Sequence, residues 1–122
     1  MNNRADVSLP RIWTSAFAVL LVAVLWLAFM PRPSHVIDTG WDKLNHALAF
    51  GALALSGRFG FADTRRRAVG LVVGLLALGV AIEVVQSFLP ARSAEVNDVL
   101  ADVVGFAAGL AAAAAAARLL RR

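Results

Sequence analysis

The residues of this 122-residue chain that could do chemistry are ionisable side chains set within apolar segments. Glu83 stands in one such segment, Asp102 in another, and His46 near the start of a third. An ionisable group at membrane depth costs ~3 kcal/mol or more by insertion scales, and it marks a functional site by default. Burial can raise a carboxyl pKa and lower that of an imidazole, so these three residues are candidates for ligand binding or acid–base chemistry.

The amino-acid composition indicates the class of protein to which the chain belongs. The chain is 60% hydrophobic, more than an ordinary soluble domain, which predicts an integral membrane protein whose first partner is the lipid bilayer. It has no cysteine, which excludes disulfides and thiolate metal sites. The net charge is +4, but the arginines form short clusters without interleaved aromatic residues, so no nucleic-acid partner is predicted. No cofactor is predicted, and the oligomeric state is left open.

Four apolar segments separated by polar loops predict an all-α, polytopic membrane protein. A run of ~20 apolar residues crosses ~30 Å of hydrocarbon as a helix. The first segment also has the features of a signal peptide, but no A-x-A-like cleavage site follows it, so we expect it to be retained. We predict a compact bundle of four transmembrane helices forming a single domain over residues 1–122. The predicted helices cover about residues 12–30, 43–61, 68–89 and 99–117.

Small residues four positions apart predict how these helices associate. In lipid, helices approach each other through small side chains because apolar burial alone gives little drive. The pairs are Ala47 and Gly51, Gly70 and Gly74, and Gly105 and Gly109. Asp63 and Thr64 are also expected to cap the third helix.

The basic residues predict the orientation of the chain in the membrane. An even number of spans puts both termini and the second loop on one side. That side would hold Arg4, Arg11, Arg58, Arg65, Arg66, Arg67, Arg118, Arg121 and Arg122, and the other side would hold Arg32, Lys43 and Arg92. Basic residues accumulate on the cytoplasmic side, so we expect a multi-pass protein of the bacterial inner membrane with both termini cytoplasmic.

Antiparallel crossing predicts a shared depth for the polar residues. Helices two and four would enter from the outer side while helix three leaves toward it, so His46, Glu83 and Asp102 should meet in the outer half of the membrane. Structural roles remain open: His46 as an interhelical hydrogen-bonding group, Glu83 in a salt bridge with Arg92 or Lys43, and Gln86 as a link between helices. The predicted ligand-binding residues are Asp42, Lys43, Gln86, Arg92, Asp98 and Asp102.

Three motifs resemble those of the VanZ-like family of small bacterial membrane proteins. They are Asp42-Lys43-x-x-His46, Ile82-Glu83-x-x-Gln86-x-x-x-Pro90-x-Arg92, and Asp98-x-x-Ala101-Asp102-x-x-Gly105-x-x-x-Gly109. The resemblance covers residues 42–109 and departs from the family at Asp102, where asparagine is common. It implies a cell-envelope protein, because the family is named for a protein associated with low-level resistance to the glycopeptide antibiotic teicoplanin.

Three classes of function are consistent with these residues. The first is an envelope protein that binds a lipid-linked or anionic cell-wall component in an outward-facing pocket, with Lys43 and Arg92 contacting the anion. The second is a membrane enzyme with Glu83 as catalytic acid and His46 as catalytic base, in which Asp98 and Asp102 orient the substrate or hold a divalent cation. No metal-binding spacing such as H-E-x-x-H supports such a cation, so no metal site is predicted. The third is a transporter, which the nearly pure apolar inner halves of the spans disfavour.

Overall fold

The computed structural model describes residues 4–29, 41–88 and 96–120, and all regular secondary structure in these ranges is α-helical. The predicted all-α bundle of four helices is confirmed. In chain order the helices are α1 (Arg4–Phe29), α2 (Trp41–Gly60), α3 (Arg65–Gln86) and α4 (Val96–Leu120).

The helices extend beyond the apolar segments that predicted them. The first helix begins at Arg4 rather than near residue 12 and continues through Pro10, and α4 runs from Val96 to Leu120 rather than over 99–117. Hydropathy identifies the part of a helix that suits lipid, whereas backbone hydrogen bonding continues into polar flanking residues. Helix α3 differs at its far end, because it ends at Gln86 rather than near residue 89.

Three of the four helices are long and apolar enough to cross a membrane, namely Leu9–Phe29 in α1, Arg65–Gln86 in α3 and Asn97–Leu120 in α4. Helix α2 has 20 residues but is not among them. From residue 49 to residue 60, every side-chain position of α2 is at least partly covered by the other elements. A helix at the centre of a bundle contacts little lipid, so its sequence can be less apolar than that of its neighbours.

Helices that follow one another in the chain run in opposite directions. The ring of Trp13 near the start of α1 lies against that of Phe59 at the end of α2, with ring centroids 5.2 Å apart. The ends of α1 and α3 meet, because Gln86 hydrogen-bonds the carbonyl of Ala28. One end of the bundle therefore contains the ends of α1 and α3 and the beginnings of α2 and α4.

Helices α2 and α4 are parallel and in direct backbone contact. A Cβ added to Gly105 would collide with the backbone of Ala47, and one added to Gly109 would collide with the backbone of Gly51. Both partners advance by four residues, so the two small-residue pairs face each other across one continuous seam. This is the close helix approach that small residues permit in membrane proteins.

The third small-residue pair faces open space. A Cβ added to Gly70 or Gly74 would meet nothing within 4 Å. Both glycines line an apolar groove of about 870 Å³ between α1 and α3, which also contacts Phe17, Leu71 and Leu75. The prediction that Gly70 and Gly74 pack against another helix is therefore wrong within the described part of the chain. Spacing identifies a small-residue face but not the direction in which that face points.

A short turn joins α2 to α3 at the opposite end of the bundle. The Arg58 guanidinium donates to the carbonyl of Ala62. The Thr64 side chain accepts a hydrogen bond from the backbone N–H of Arg67 at 3.2 Å, so the predicted cap at Thr64 is present. Asp63 accepts a hydrogen bond from the Arg67 guanidinium at 2.8 Å, and this bond lowers the pKa of the exposed Asp63 carboxyl.

Candidate functional site

A histidine of α2 and an aspartate of α4 form a buried hydrogen bond. His46 Nδ1 lies 3.0 Å from Asp102 Oδ1, and the side chains of His46 and Asp102 are 15% and 2% exposed. The seam between α2 and α4 brings these two side chains together, because Ala47 contacts Gly105 there. His46 immediately precedes Ala47, and Asp102 lies three residues before Gly105. Where Asp102 is ionised, its carboxylate can only accept hydrogen bonds, so Nδ1 would be the donor and Nε2 would face the other direction.

Two more carboxyl groups join this pair. One ligand atom each from His46, Glu83 and Asp98 lies within 4.8 Å of the others, and both acids are buried. Asp98 and Asp102 are four residues apart on one face of α4, whereas Glu83 comes from α3. We refer to His46, Glu83, Asp98 and Asp102 as the polar cluster. Three helices contribute to it, so its geometry depends on how the bundle packs.

A glycine of α3 makes room for the Asp102 carboxylate. A Cβ added to Gly79 would lie 2.8 Å from Asp102 Oδ2, which is closer than real contacts of this kind. The Oδ2 atom is buried and accepts no hydrogen bond from the described part of the chain. Gly79 was not among the predicted site residues. Its position four residues before Glu83 could have identified it, because that spacing puts both residues on one face of α3.

The Gln86 side chain makes a hydrogen bond to α1. Its Nε2 donates a hydrogen bond of 2.8 Å to the carbonyl oxygen of Ala28, and the residue is 3% exposed. Gln86 therefore links α3 to α1, one turn beyond Glu83. Sequence analysis could not identify Ala28 as its partner, because any residue can supply a backbone carbonyl.

Of the eight sequence-predicted site residues, four come together, Gln86 bonds α1, and three lie wholly or partly outside the described structure. The meeting of His46, Glu83 and Asp102 expected from antiparallel crossings is observed, and Asp98 joins them. Asp42 and Lys43 belong to the first turn of α2, but their side chains lie outside the described part of the chain, and Arg92 lies outside the described residues. The chemical roles assigned to all these residues stay predictions.

The polar cluster combines the donor and acceptor types needed for several kinds of chemistry. Buried carboxyl and imidazole groups can transfer protons, accept hydrogen bonds from hydroxyl or amine groups, or coordinate a cation. In the low-dielectric interior, each of these interactions is stronger than it would be in water. The cluster is thus the part of the described chain that is best equipped for a specific interaction.

Comparison with known proteins adds a family to this geometry. A sequence model of the VanZ/LLP1 family matches residues 16–118, well over half of the chain. No curated protein and no solved structure matches the chain. The matched range includes every member of the polar cluster.

Proposed function

The chain belongs to the VanZ/LLP1 family, and on that premise we propose that it binds a component of the bacterial cell envelope. In this proposal it is a multi-pass protein of the bacterial inner membrane. The polar cluster binds the headgroup of a lipid-linked or cell-wall ligand at the external side. The observation that carries the proposal is the buried hydrogen bond between His46 and Asp102, with Glu83 and Asp98 beside it. Polar groups at membrane depth are costly, and a bound headgroup gives them a function.

The charge distribution supports an outward-facing cluster. By the predicted topology, nine basic residues fall on the side opposite the cluster and three on the same side as the cluster. The positive-inside rule then puts the termini in the cytoplasm and the cluster at the external side. The basic residues on the external side are Arg32, Lys43 and Arg92.

The ligand in this proposal carries both anionic and hydroxyl or amine groups. Lys43 and Arg92 are proposed to contact phosphate or carboxylate groups, since charge-assisted hydrogen bonds to such groups are strong. The carboxylates of the polar cluster would accept hydrogen bonds from hydroxyl or amine groups. Lipid-linked cell-wall precursors combine these chemical groups, and the teicoplanin resistance for which the family is named would follow from altered handling of such a precursor.

Drug sensitivity in a susceptible bacterial host tests the proposal. Cells expressing the chain, its Glu83→Ala variant or its Asp63→Asn variant are compared for growth in teicoplanin and in vancomycin. We expect the chain and Asp63→Asn to raise teicoplanin tolerance equally and Glu83→Ala to abolish the effect at equal membrane expression. Equal tolerance in Glu83→Ala and wild type would reject an envelope role that depends on the polar cluster.

A second candidate function is a membrane enzyme acting on a lipid-borne substrate. The orientation of the imidazole favours it, because Asp102 Oδ1 contacts Nδ1 while a carboxyl oxygen of Glu83 lies within 4.8 Å of a nitrogen of the same ring. His46 and Glu83 would then be base and acid. Turnover of a lipid-phosphate substrate by the purified chain, lost in Glu83→Gln, would favour the enzyme, whereas binding without turnover would favour the first proposal.

A further inference from the structure

We propose that the polar cluster binds one divalent transition-metal ion of the Zn²⁺ or Mn²⁺ type through His46, Glu83 and Asp98, with Asp102 orienting the histidine. Nothing in the family match assigns a metal to these residues. The inference rests on the proposed function only in placing the site at the polar cluster. It can be tested separately, because metal binding can be measured on the isolated protein.

The distances within the cluster are close to those of a metal site. Ligands at ~2.1 Å from one ion lie ~3.4 Å apart in a tetrahedral site, and only two on opposite sides of the ion reach ~4.2 Å. The ligand atoms of His46, Glu83 and Asp98 lie within 4.8 Å of one another. The widest separation this allows exceeds that tetrahedral spacing by ~1.4 Å, so the carboxylate side chains would have to turn toward the ion as it binds.

The donor types indicate which ions would bind. One imidazole and two carboxylates form a mixed nitrogen and oxygen set without sulfur. Imidazole favours transition metals such as Zn²⁺, whereas carboxylates also suit Mn²⁺. A set of carboxylates alone would suit Mg²⁺ or Ca²⁺, so His46 is the residue that favours a transition metal here. Water or a phosphate oxygen of an envelope ligand would complete the coordination.

Asp102 supplies an independent feature of metal sites. A histidine that ligates a metal almost always donates its other ring N–H to a carboxylate or carbonyl, which fixes the tautomer and the ring orientation. His46 Nδ1 makes this contact with Asp102 Oδ1 at 3.0 Å, so Nε2 is the atom through which the ring would ligate the ion.

The second oxygen of Asp102 also favours a cation nearby. Asp102 Oδ2 is buried and accepts no hydrogen bond from the described residues, in a residue that is 1% exposed. A buried carboxylate with an oxygen that lacks a donor is costly, and a divalent cation on the far side of the imidazole lowers that cost through its field. A bound cation would also add positive charge to the cluster, which favours an anionic headgroup.

Direct measurement of metal binding tests the inference on the full chain purified in detergent and stripped with a chelator. Mn²⁺ binding is followed by loss of its free-ion electron paramagnetic resonance signal, and Zn²⁺ affinity by competition with a chromophoric chelator. We expect one ion per chain and a higher melting temperature with Zn²⁺. His46→Ala, Glu83→Gln and Asp98→Asn should each weaken binding at least ~10-fold, and Asp102→Asn by ~10–100-fold, as is typical for groups that orient a ligand.

The matched control is Asp63→Asn, which removes a carboxylate that is exposed and paired with Arg67 at the other end of the bundle. It should bind metal as the wild type does. Absence of stoichiometric binding or of a melting shift in the wild type overturns the inference without recourse to any variant. Equal affinity in Asp63→Asn and the cluster variants also overturns it, because the ion would then bind elsewhere.

Metal binding and the envelope function can fail separately. If the wild type binds no metal while Glu83→Ala still abolishes drug tolerance, the metal is rejected and the envelope function stands. If the chain binds one ion but Glu83→Ala leaves drug tolerance unchanged, the metal site stands and the proposed function is rejected.

Discussion

A single methyl group added at Gly105 should separate α2 from α4 and disrupt the polar cluster. In Gly105→Ala the new Cβ would lie 2.7 Å from the Cα and the carbonyl carbon of Ala47, and closer still to the carbonyl oxygen. Ordinary carbon–carbon contacts are ~3.5–4.0 Å, so α4 has to retreat by ~1 Å. The obstacle is backbone rather than a flexible side chain, so no rotamer change relieves it.

The expected loss of stability follows from two effects of that displacement. Overpacking of this kind costs ~1–3 kcal/mol. A retreat of ~1 Å at the seam also lengthens the 3.0 Å bond between His46 Nδ1 and Asp102 Oδ1 beyond the hydrogen-bonding range. Interhelical hydrogen bonds in membranes contribute ~0.6 kcal/mol on average and ~1.7 kcal/mol at most. After the ~0.5–1 kcal/mol that alanine gains over glycine in a helix, we expect a net destabilisation of about 1–4 kcal/mol.

Gly70→Ala is the matched control for this experiment. It makes the same chemical change inside α3, at a position where a Cβ meets nothing within 4 Å. We expect it to keep or slightly raise stability, by up to ~1 kcal/mol. The free energy of unfolding is measured for both variants by denaturant titration in mixed micelles, with helicity followed by circular dichroism. Equal stability of Gly105→Ala and Gly70→Ala would refute the backbone contact between α2 and α4.

Three further substitutions test other parts of the structure. Gly79→Ala should displace the Asp102 carboxylate and change the imidazole ¹⁵N chemical shifts of the histidine bonded to it, while changing stability little; unchanged shifts would contradict the close contact at Oδ2. Gln86→Ala should lower the free energy of unfolding by ~0.6–1.7 kcal/mol because it removes the hydrogen bond to α1. Ser87→Ala should lower it less, because it removes only an exposed hydrogen bond from the Ser87 hydroxyl to the Val84 carbonyl. Thr64→Ala should lower it by ~0.5–2 kcal/mol through loss of the α3 cap, and an unchanged value would indicate that the cap contributes nothing to stability.

The sequence predicted the parts of this structure that depend on counting along the chain. The number of helices follows from apolar segment length, and the meeting of His46, Glu83 and Asp102 follows from antiparallel crossing, which brings distant residues to one level. Both results require only a constant rise per residue. They do not require knowledge of how each helix is rotated about its axis.

Features that depend on helix rotation could not be predicted in this way. Gly70 and Gly105 belong to identical small-residue patterns, yet one faces a groove and the other a neighbouring backbone. The hydrogen bond from Gln86 to Ala28 and the space at Gly79 also depend on which faces of the helices meet. In a chain that is apolar on nearly every side, polarity does not identify the inner face of a helix.

The contrast between the two sides of the bundle has a mechanical consequence. The seam between α2 and α4 makes that half stiff, because neither backbone can shift without meeting the other. Helices α1 and α3 are instead separated by a groove, which lies toward the end of the bundle away from the polar cluster. The spacing of His46 and Asp102 is therefore set by backbone contact, whereas Glu83 is carried by α3, which meets α4 at Gly79 through the Asp102 side chain.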